Sequence, residues 1–236
     1  MASLYFRQLL SGRDFAAGDP VAVQMVNFSY ALGDRDSGEA LLVDPAYAVA
    51  ELLDALRGDE MSVVGVLATH HHFDHVGGTL AGHHVQGIAE LLEVVDVAVH
   101  AQRAELQAIA RGTGVPASSL VGHDGGDVVE VGGVGVALLH TPGHTRGSQC
   151  LLVDHHLISG DTLFLEGCGR MDLDGGDPEA MYGSLRRLAE LPGDTVVCPG
   201  HRYSPAASAP MAALRETNVV YGPATEADWL AAFARP

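Results

Sequence analysis

His70-His71-His72-Phe73-Asp74-His75 places four imidazoles and one carboxylate in six consecutive positions, between Thr69 and Val76-Gly77-Gly78. Imidazole and carboxylate are the ligands that suit Zn²⁺, Fe²⁺ and Mn²⁺ at neutral pH. Crowding them costs stability unless a metal offsets their mutual repulsion and desolvation. The stretch ends an apolar run, Val63-Val64-Gly65-Val66-Leu67-Ala68, that reads as a buried strand. Ligands at the mouth of a buried strand point to a catalytic site.

Three later segments extend the cluster: Leu138-Leu139-His140-Thr141-Pro142-Gly143-His144-Thr145, Ile158-Ser159-Gly160-Asp161-Thr162-Leu163 and Val196-Val197-Cys198-Pro199-Gly200-His201. In each, an apolar strand runs into a turn carrying a His or Asp. Four strand ends thus supply His70, His72, Asp74, His75, His144, Asp161 and His201. That set exceeds what one tetrahedral ion needs, and two ions about 3.5–4 Å apart would share it. Extended backbone puts positions i and i+2 on one face, so His70 and His72 can grip one ion. Asp74 and His75 lie beyond the strand end and can turn towards a second. One ligand must bridge; a carboxylate has two oxygens for this, and Asp161 is the choice. A bridging water, its pKa lowered from about 15.7 to about 7, is the expected nucleophile. One ion can polarise a substrate carbonyl, and Asp74 is placed to orient the hydroxide. A thiolate leaving group needs no proton, so thioesters suit such a site.

Outward from these segments, Val21–Tyr30 and Ala40–Val43 read as strands joined across Gly33–Gly38. Asp44-Pro45 reads as the opening of a helix ended by Gly58. Residues 87–93 and 103–111 read as helical, with a strand over 94–99. Two strands fall within 128–139, and 150–153 pairs with 157–159 as a hairpin. Pro178–Leu191 is an amphipathic helix, Thr195–Cys198 a strand, and helices lie near 211–216 and 226–233. Two packed sheets with helices outside would account for this order. No Ser/Pro-rich spacer divides the chain, so residues 1–236 are expected to form one domain, its core about 20–205 and a helical tail 206–236.

The charge balance is 13 basic against 30 acidic residues, −17 in all, and every basic residue is Arg. Such acidity disfavours nucleic acid and anionic membrane surfaces as partners. A small-molecule substrate is expected instead, and oligomeric state is not legible. Cys150, Cys168 and Cys198 are too few and scattered for a disulfide framework and fit a reducing compartment. Met1–Leu10 lacks a basic region followed by a long apolar stretch, and no segment has the roughly 20 apolar residues of a membrane span. A cytoplasmic location is the default expectation.

The His-x-His-x-Asp-His motif at His70–His75, followed in order by His144, Asp161 and His201, resembles the metallo-β-lactamase superfamily over about residues 20–205. The resemblance implies an α/β fold in four layers, an αββα sandwich of two mixed β-sheets flanked by helices, with the metal site at one edge. It implies two divalent ions, zinc first, with iron or manganese as alternatives. The first ion would take His70, His72 and His144, the second Asp74, His75 and His201, with Asp161 between them.

Within the superfamily, Thr69–Gly78, Thr141-Pro142-Gly143-His144-Thr145 and Gly160-Asp161-Thr162-Leu163-Phe164 resemble glyoxalase II (hydroxyacylglutathione hydrolase), with Phe73 where that family usually has Trp. This implies thioester hydrolysis, a glutathione conjugate as candidate substrate, and substrate contacts from Arg170 and Tyr203. Two departures stand out. Asp172 replaces a tyrosine two residues past Arg170, and the tail after His201 is shorter than the helical domain of the long form. A different acyl substrate would fit both. Gly169-Arg170-Met171-Asp172 also resembles persulfide dioxygenases of the same superfamily, which implies one Fe²⁺ on His70, His144 and Asp161. A lactonase or β-lactamase-type hydrolase is a further alternative. Phe73, where the dioxygenases usually carry a small residue, favours the hydrolase.

The remaining polar clusters have plainer readings. Strand alternation turns His71 away from its neighbours. His83-His84 and His155-His156 sit beside turns and read as surface or hydrogen-bonded imidazoles. Asp172–Asp177 lacks the spacing and terminal Glu of a calcium loop. Arg170 is either an ion-pair partner or a substrate-carboxylate contact. Cys150 reads as core filler and Cys168 as a turn residue.

Overall fold

The computed structural model describes residues 2–80 and 82–234; the extreme ends of the expected domain, residues 1 and 235–236, lie outside the described residues. The first half of the chain runs β1 (Leu4–Leu10), α1 (Pro20–Met25), β2 (Phe28–Asp34), β3 (Glu39–Val43), α2 (Val49–Gly58), β4 (Ser62–Leu67), α3 (Phe73–Val76), β5 (Gly78–Leu80), β6 (His83–Val85), α4 (Ile88–Val94), β7 (Ala98–Gln102), α5 (Leu106–Thr113) and β8 (Leu120–His123). The second half runs β9 (Val128–Val131), β10 (Val134–His140), β11 (Gln149–Val153), β12 (His156–Gly160), β13 (Leu163–Phe164), β14 (Gly167–Cys168), α6 (Pro178–Leu188), β15 (Val196–Pro199), β16 (Ala209–Pro210), α7 (Met211–Thr217) and α8 (Glu226–Phe233).

Each half makes one six-stranded sheet, in the orders β1-β2-β3-β4-β7-β8 and β16-β15-β12-β11-β10-β9. Both are mixed: β3, β4, β7 and β8 run parallel to one another, as do β12 and β15, while the other pairings are antiparallel. Alternation along the strands sorts the side chains into layers. Phe28, Tyr30, Leu32, Leu41, Val43 and Leu67 of the first sheet meet Val136, Leu138, Leu151, Val153, Ile158 and Cys198 of the second. The opposite face of the first sheet, through Ala31, Leu42, Val66 and Val99, receives Leu52, Leu56, Ile88, Leu91 and Ile109 from α2, α4 and α5. The second sheet turns Cys150, Leu157 and Val197 onto Met181, Leu185, Leu188, Met211, Leu214 and Trp229 of α6, α7 and α8. The result is the expected helix–sheet–sheet–helix order.

Two local expectations are corrected. Val21–Tyr30 is not one strand. The Asp19 carboxylate accepts from the backbone N–H of Val21 (2.8 Å) and Ala22 (3.3 Å), with Pro20 at the first helical position, so residues 20–25 form α1 and the strand begins at Phe28. An apolar run alone does not separate strand from capped helix. Nor does Asp44-Pro45 open a helix: α2 starts at Val49, and Asp44 stands at φ +50° with its carboxylate turned inward. The strand expected over 94–99 lies slightly later, at Ala98–Gln102.

The sheets are stitched together at one edge by backbone bonds. Phe28 N–H donates to Gly200 O (2.8 Å), Arg202 N–H to Val26 O (2.9 Å), and Gln149 N–H to Thr69 O (3.0 Å). The C-terminal ends of β4, β12 and β15 open onto this edge. Among the described residues, no helix is long and apolar enough to cross a membrane.

Candidate metal centre

β4 ends at Leu67, and residues 70–72 continue extended before the single turn of α3, with His72 at φ −66°, ψ 146°. His70 and His72 therefore lie on one side, while α3 rotates Asp74 and His75 towards the other. The turns after β10, β12 and β15 deliver His144, Asp161 and His201. All seven expected residues converge, in two groups.

In the first group, His72 Nδ1 lies 3.1 Å from His70 Nε2 and 2.9 Å from His144 Nε2. In the second, His75 Nε2 lies 3.2 Å from His201 Nε2, and Asp74 Oδ2 is 3.4 Å from His201 Nε2 and 3.6 Å from His75 Nε2. Asp161 spans them. Its Oδ2 is 3.6 Å from His144 Nε2 and 3.4 Å from His201 Nε2, and its Oδ1 is 3.4 Å from His75 Nε2.

The outer nitrogens explain the orientation of the inner ones. His144 Nδ1–H donates to Arg170 O (2.7 Å) and His201 Nδ1–H to Met25 O (2.8 Å). His75 Nδ1–H donates to Asp44 Oδ2 (2.9 Å). His70 Nδ1–H donates to Thr69 Oγ1 (3.0 Å), whose own hydrogen goes to Asp44 Oδ2 (2.6 Å). Each bond fixes a tautomer whose Nε2 points inward as a lone pair. Asp44 Oδ1 also accepts the Thr69 N–H (2.8 Å), so one buried carboxylate orients ligands of both groups.

The donor set fits divalent cations. His72 Nδ1 has at most one hydrogen for two facing acceptors. Asp161 Oδ1 is buried with no hydrogen-bond donor among the described residues. A Cβ on Gly200 would stand 2.4 Å from that oxygen, so the backbone leaves space there that any side chain would fill. Uncompensated polar groups of this kind are costly in a dry interior.

Electrostatics divides the groups. Burial, reinforced by His75 and His144, holds His70 well below the usual imidazole pKa. Burial, with His144 and His71, lowers His72 to about 4. Burial also opposes charge on His75 and His201, but Asp74 and Asp161 outweigh it at His75, and Asp161 at His201, raising both. Asp161 is likewise penalised by burial, yet His201 and His75 pull it well below the usual carboxylate range.

Three supporting residues are not marked as such by the sequence. Asp44 reads there as a helix cap; an acid ending an apolar strand beside the ligand-bearing strand is the available signal. Asn27 Nδ2 donates to Asp74 O (3.0 Å) and Oδ2 (3.1 Å), and Tyr47 OH donates to Asn27 Oδ1 (3.0 Å). Glu105 Oε2 accepts from the His71 N–H (2.9 Å) and pairs with His71 Nδ1, while its Oε1 accepts from Thr145 Oγ1 (2.9 Å) and Gly147 N–H (2.7 Å). Burial opposes that charge, but the His71 contact and the other donors hold Glu105 below its ordinary range. Nothing local in the sequence marks Asn27 or Glu105, because their partners are distant in the chain.

A cavity of about 950 Å³ opens on the candidate ligands, walled by Phe73, Phe164, Leu165, Leu173 and Tyr203. Tyr203 stacks on His201 with ring centroids 4.8 Å apart. Arg170 lines the cavity, but its guanidinium pairs with Asp172. His71 lines the same cavity but pairs with Glu105, and His84 and His155 are surface imidazoles paired to Glu90 and Asp154. The described cysteines are unpaired thiols, Cys150 and Cys198 buried.

The metallo-beta-lactamase superfamily profile matches residues 24–201. A hydroxyacylglutathione hydrolase from Xanthomonas campestris pv. campestris (strain B100) is 41% identical over 178 residues, which cover 75% of this chain. The match spans only 62% of that relative's length. Among solved structures, ETHE1 from Myxococcus xanthus superimposes with a TM-score of 0.75 at 27% identity, over 96% of this chain and 88% of the other. The di-iron-bound form of TTHA1623 does so with a TM-score of 0.67 at 28% identity, over 83% and 95%.

Proposed function

Because this chain belongs to the metallo-beta-lactamase superfamily, we propose that it is a metal-dependent hydrolase that cleaves a thioester or related ester with two divalent ions, zinc first and iron or manganese as alternatives. The reading treats residues 1–236 as one domain. The observation that carries it is Asp161, whose two oxygens reach nitrogens of both candidate ligand groups. His70, His72 and His144 would hold one ion and Asp74, His75 and His201 the other. When bound, the ions would supply a hydroxide near neutral pH and polarise the acyl carbonyl.

The protein's own groups would do the rest. Asn27 fixes Asp74 Oδ2, leaving Oδ1 to orient the attacking water. Phe73, Phe164 and Tyr203 offer apolar surface for the acyl chain and exclude water around the reacting carbon. A thiolate leaving group departs without a proton, so this reaction asks for no general acid; Cys168, the thiol in the lining, is pushed up to about 12 by burial and stays protonated.

Metal analysis of purified protein should find about two ions per chain, and thioester turnover should stop on chelation and return with zinc. A single iron per chain, with oxygen uptake on glutathione persulfide, would overturn the proposal in favour of a mononuclear dioxygenase.

A further inference from the structure

The cavity carries one guanidinium, and it is already engaged. Arg170 Nε donates to Asp172 Oδ1 (2.7 Å) and Nη2 to Asp172 Oδ2 (2.6 Å), a parallel two-point pairing. This is the geometry in which an arginine would otherwise grip a substrate carboxylate. Among the described residues lining the cavity Arg170 is the only Arg, and the chain contains no Lys. Glu166 and Asp174 also line the cavity.

Asp172 lies two residues past Arg170, so the pairing is intramolecular. A free carboxylate must outcompete a partner held at high effective concentration. Displacing Asp172 would also strip a carboxylate that is ionised at neutral pH of its partner, next to a cavity whose lining already includes Glu166 and Asp174. The lining also has apolar side chains, from Phe73, Phe164 and Leu173.

Resting on the hydrolase reading above, we propose that Asp172 determines specificity: by occupying the Arg170 fork it selects acyl thioesters whose thiol portion carries no carboxylate over glutathione conjugates. Asp172 acts on the substrate through Arg170. The Arg170 group that holds His144 is its backbone carbonyl, not the guanidinium engaged in this pairing.

The test uses zinc-loaded protein and two thioethers that cannot be hydrolysed, S-hexylglutathione and neutral S-hexyl-N-acetylcysteamine, titrated calorimetrically. The unsubstituted protein should bind the neutral thioether at least as tightly. Asp172→Asn should tighten S-hexylglutathione about tenfold while moving the neutral ligand by less than about twofold. Adding Arg170→Gln to Asp172→Asn should abolish the gain. The two affinities are compared on the same protein, so a general loosening of the loop cancels. An unchanged ratio in Asp172→Asn, or tighter binding of S-hexylglutathione by the unsubstituted protein, overturns the proposal. Turnover separates this from the hydrolase reading: if zinc-loaded protein hydrolyses neither hexanoyl thioester, that reading fails, while the thioether ratio still decides the role of Asp172.

Discussion

Asp161 and Asp44 divide the work of one centre between an inner and an outer carboxylate. Asp161→Ala removes the group that reaches both ligand sets, and is expected to empty both sites and abolish turnover together; metal content and activity measured on one preparation check this. Asp44→Asn keeps the size but puts an amide where either His75 Nδ1–H or the Thr69 donors need an acceptor. Metal affinity, read by competition with a chromogenic chelator, should fall by about 10–100-fold. The inner residues are legible in the sequence because their chemistry is concentrated in motifs at strand ends. The outer ones are not: an Asp before Pro has the same sequence signature whether it caps a helix or buttresses a histidine, and only the parallel pairing of β3 with β4 decides between them.

Elements place these side chains through tight approaches that tolerate little. Gly200 lies where β15 ends, and Gly200→Ala would drive a methyl group against Asp161 Oδ1. Weakened metal binding with the helices retained is expected, seen as lost metal content against an unchanged far-ultraviolet circular dichroism spectrum. By contrast, the Asp177 carboxylate caps α6 by accepting from the Ala180 N–H (3.0 Å), while the contact of Asp177 beside His144, its N–H to Gly143 O (2.8 Å), is backbone that an alanine keeps. Asp177→Ala should cost about 1 kcal/mol in a denaturant titration and leave the metal content alone. Helices α6 and α8 are readable from amphipathic spacing, and the β11–β12 hairpin from its polar turn. α1 is not, because its apolar residues lead into β2 with only Gln24 and Asn27 between them. The Asp19-Pro20 cap, a two-residue signal, outweighs the β-branched character of Val21 and Val23.

For the whole molecule, acidity acts on the two ligand groups in opposite directions. His75 and His201 have raised pKa values, so in the metal-free protein their protonated forms contribute stability below the ordinary imidazole value, and this is lost as pH rises through the raised values. A cation must displace those protons, so binding there weakens as pH falls. His70 and His72 are depressed, His72 to about 4, and stay ready to bind well below neutrality. Slow acidification should therefore release metal in two steps, the ion beside Asp74, His75 and His201 first; simultaneous loss in one step would contradict this assignment. Chelation at neutral pH should also lower the melting temperature, since ligand binding to the folded state adds to its stability, and scanning calorimetry with and without zinc reads it directly. The net charge of −17 is visible from composition and bears on partners, whereas the four-layer order needs the alternation of each strand to be resolved in space.

The stitching of Phe28 to Gly200 and of Val26 to Arg202 has a consequence for synthesis on the ribosome. His70, His72, Asp74 and His75 emerge early with Asn27, Asp44 and Thr69 already made, yet the other candidate ligands, His144, Asp161 and His201, arrive only with the second sheet. A nascent chain exposes a histidine-rich stretch for more than a hundred residues of translation before His201 can close the cage. A cation would meet the full set of candidate ligands only once the two sheets close, and supply in the cell at that moment would bear on which one is taken.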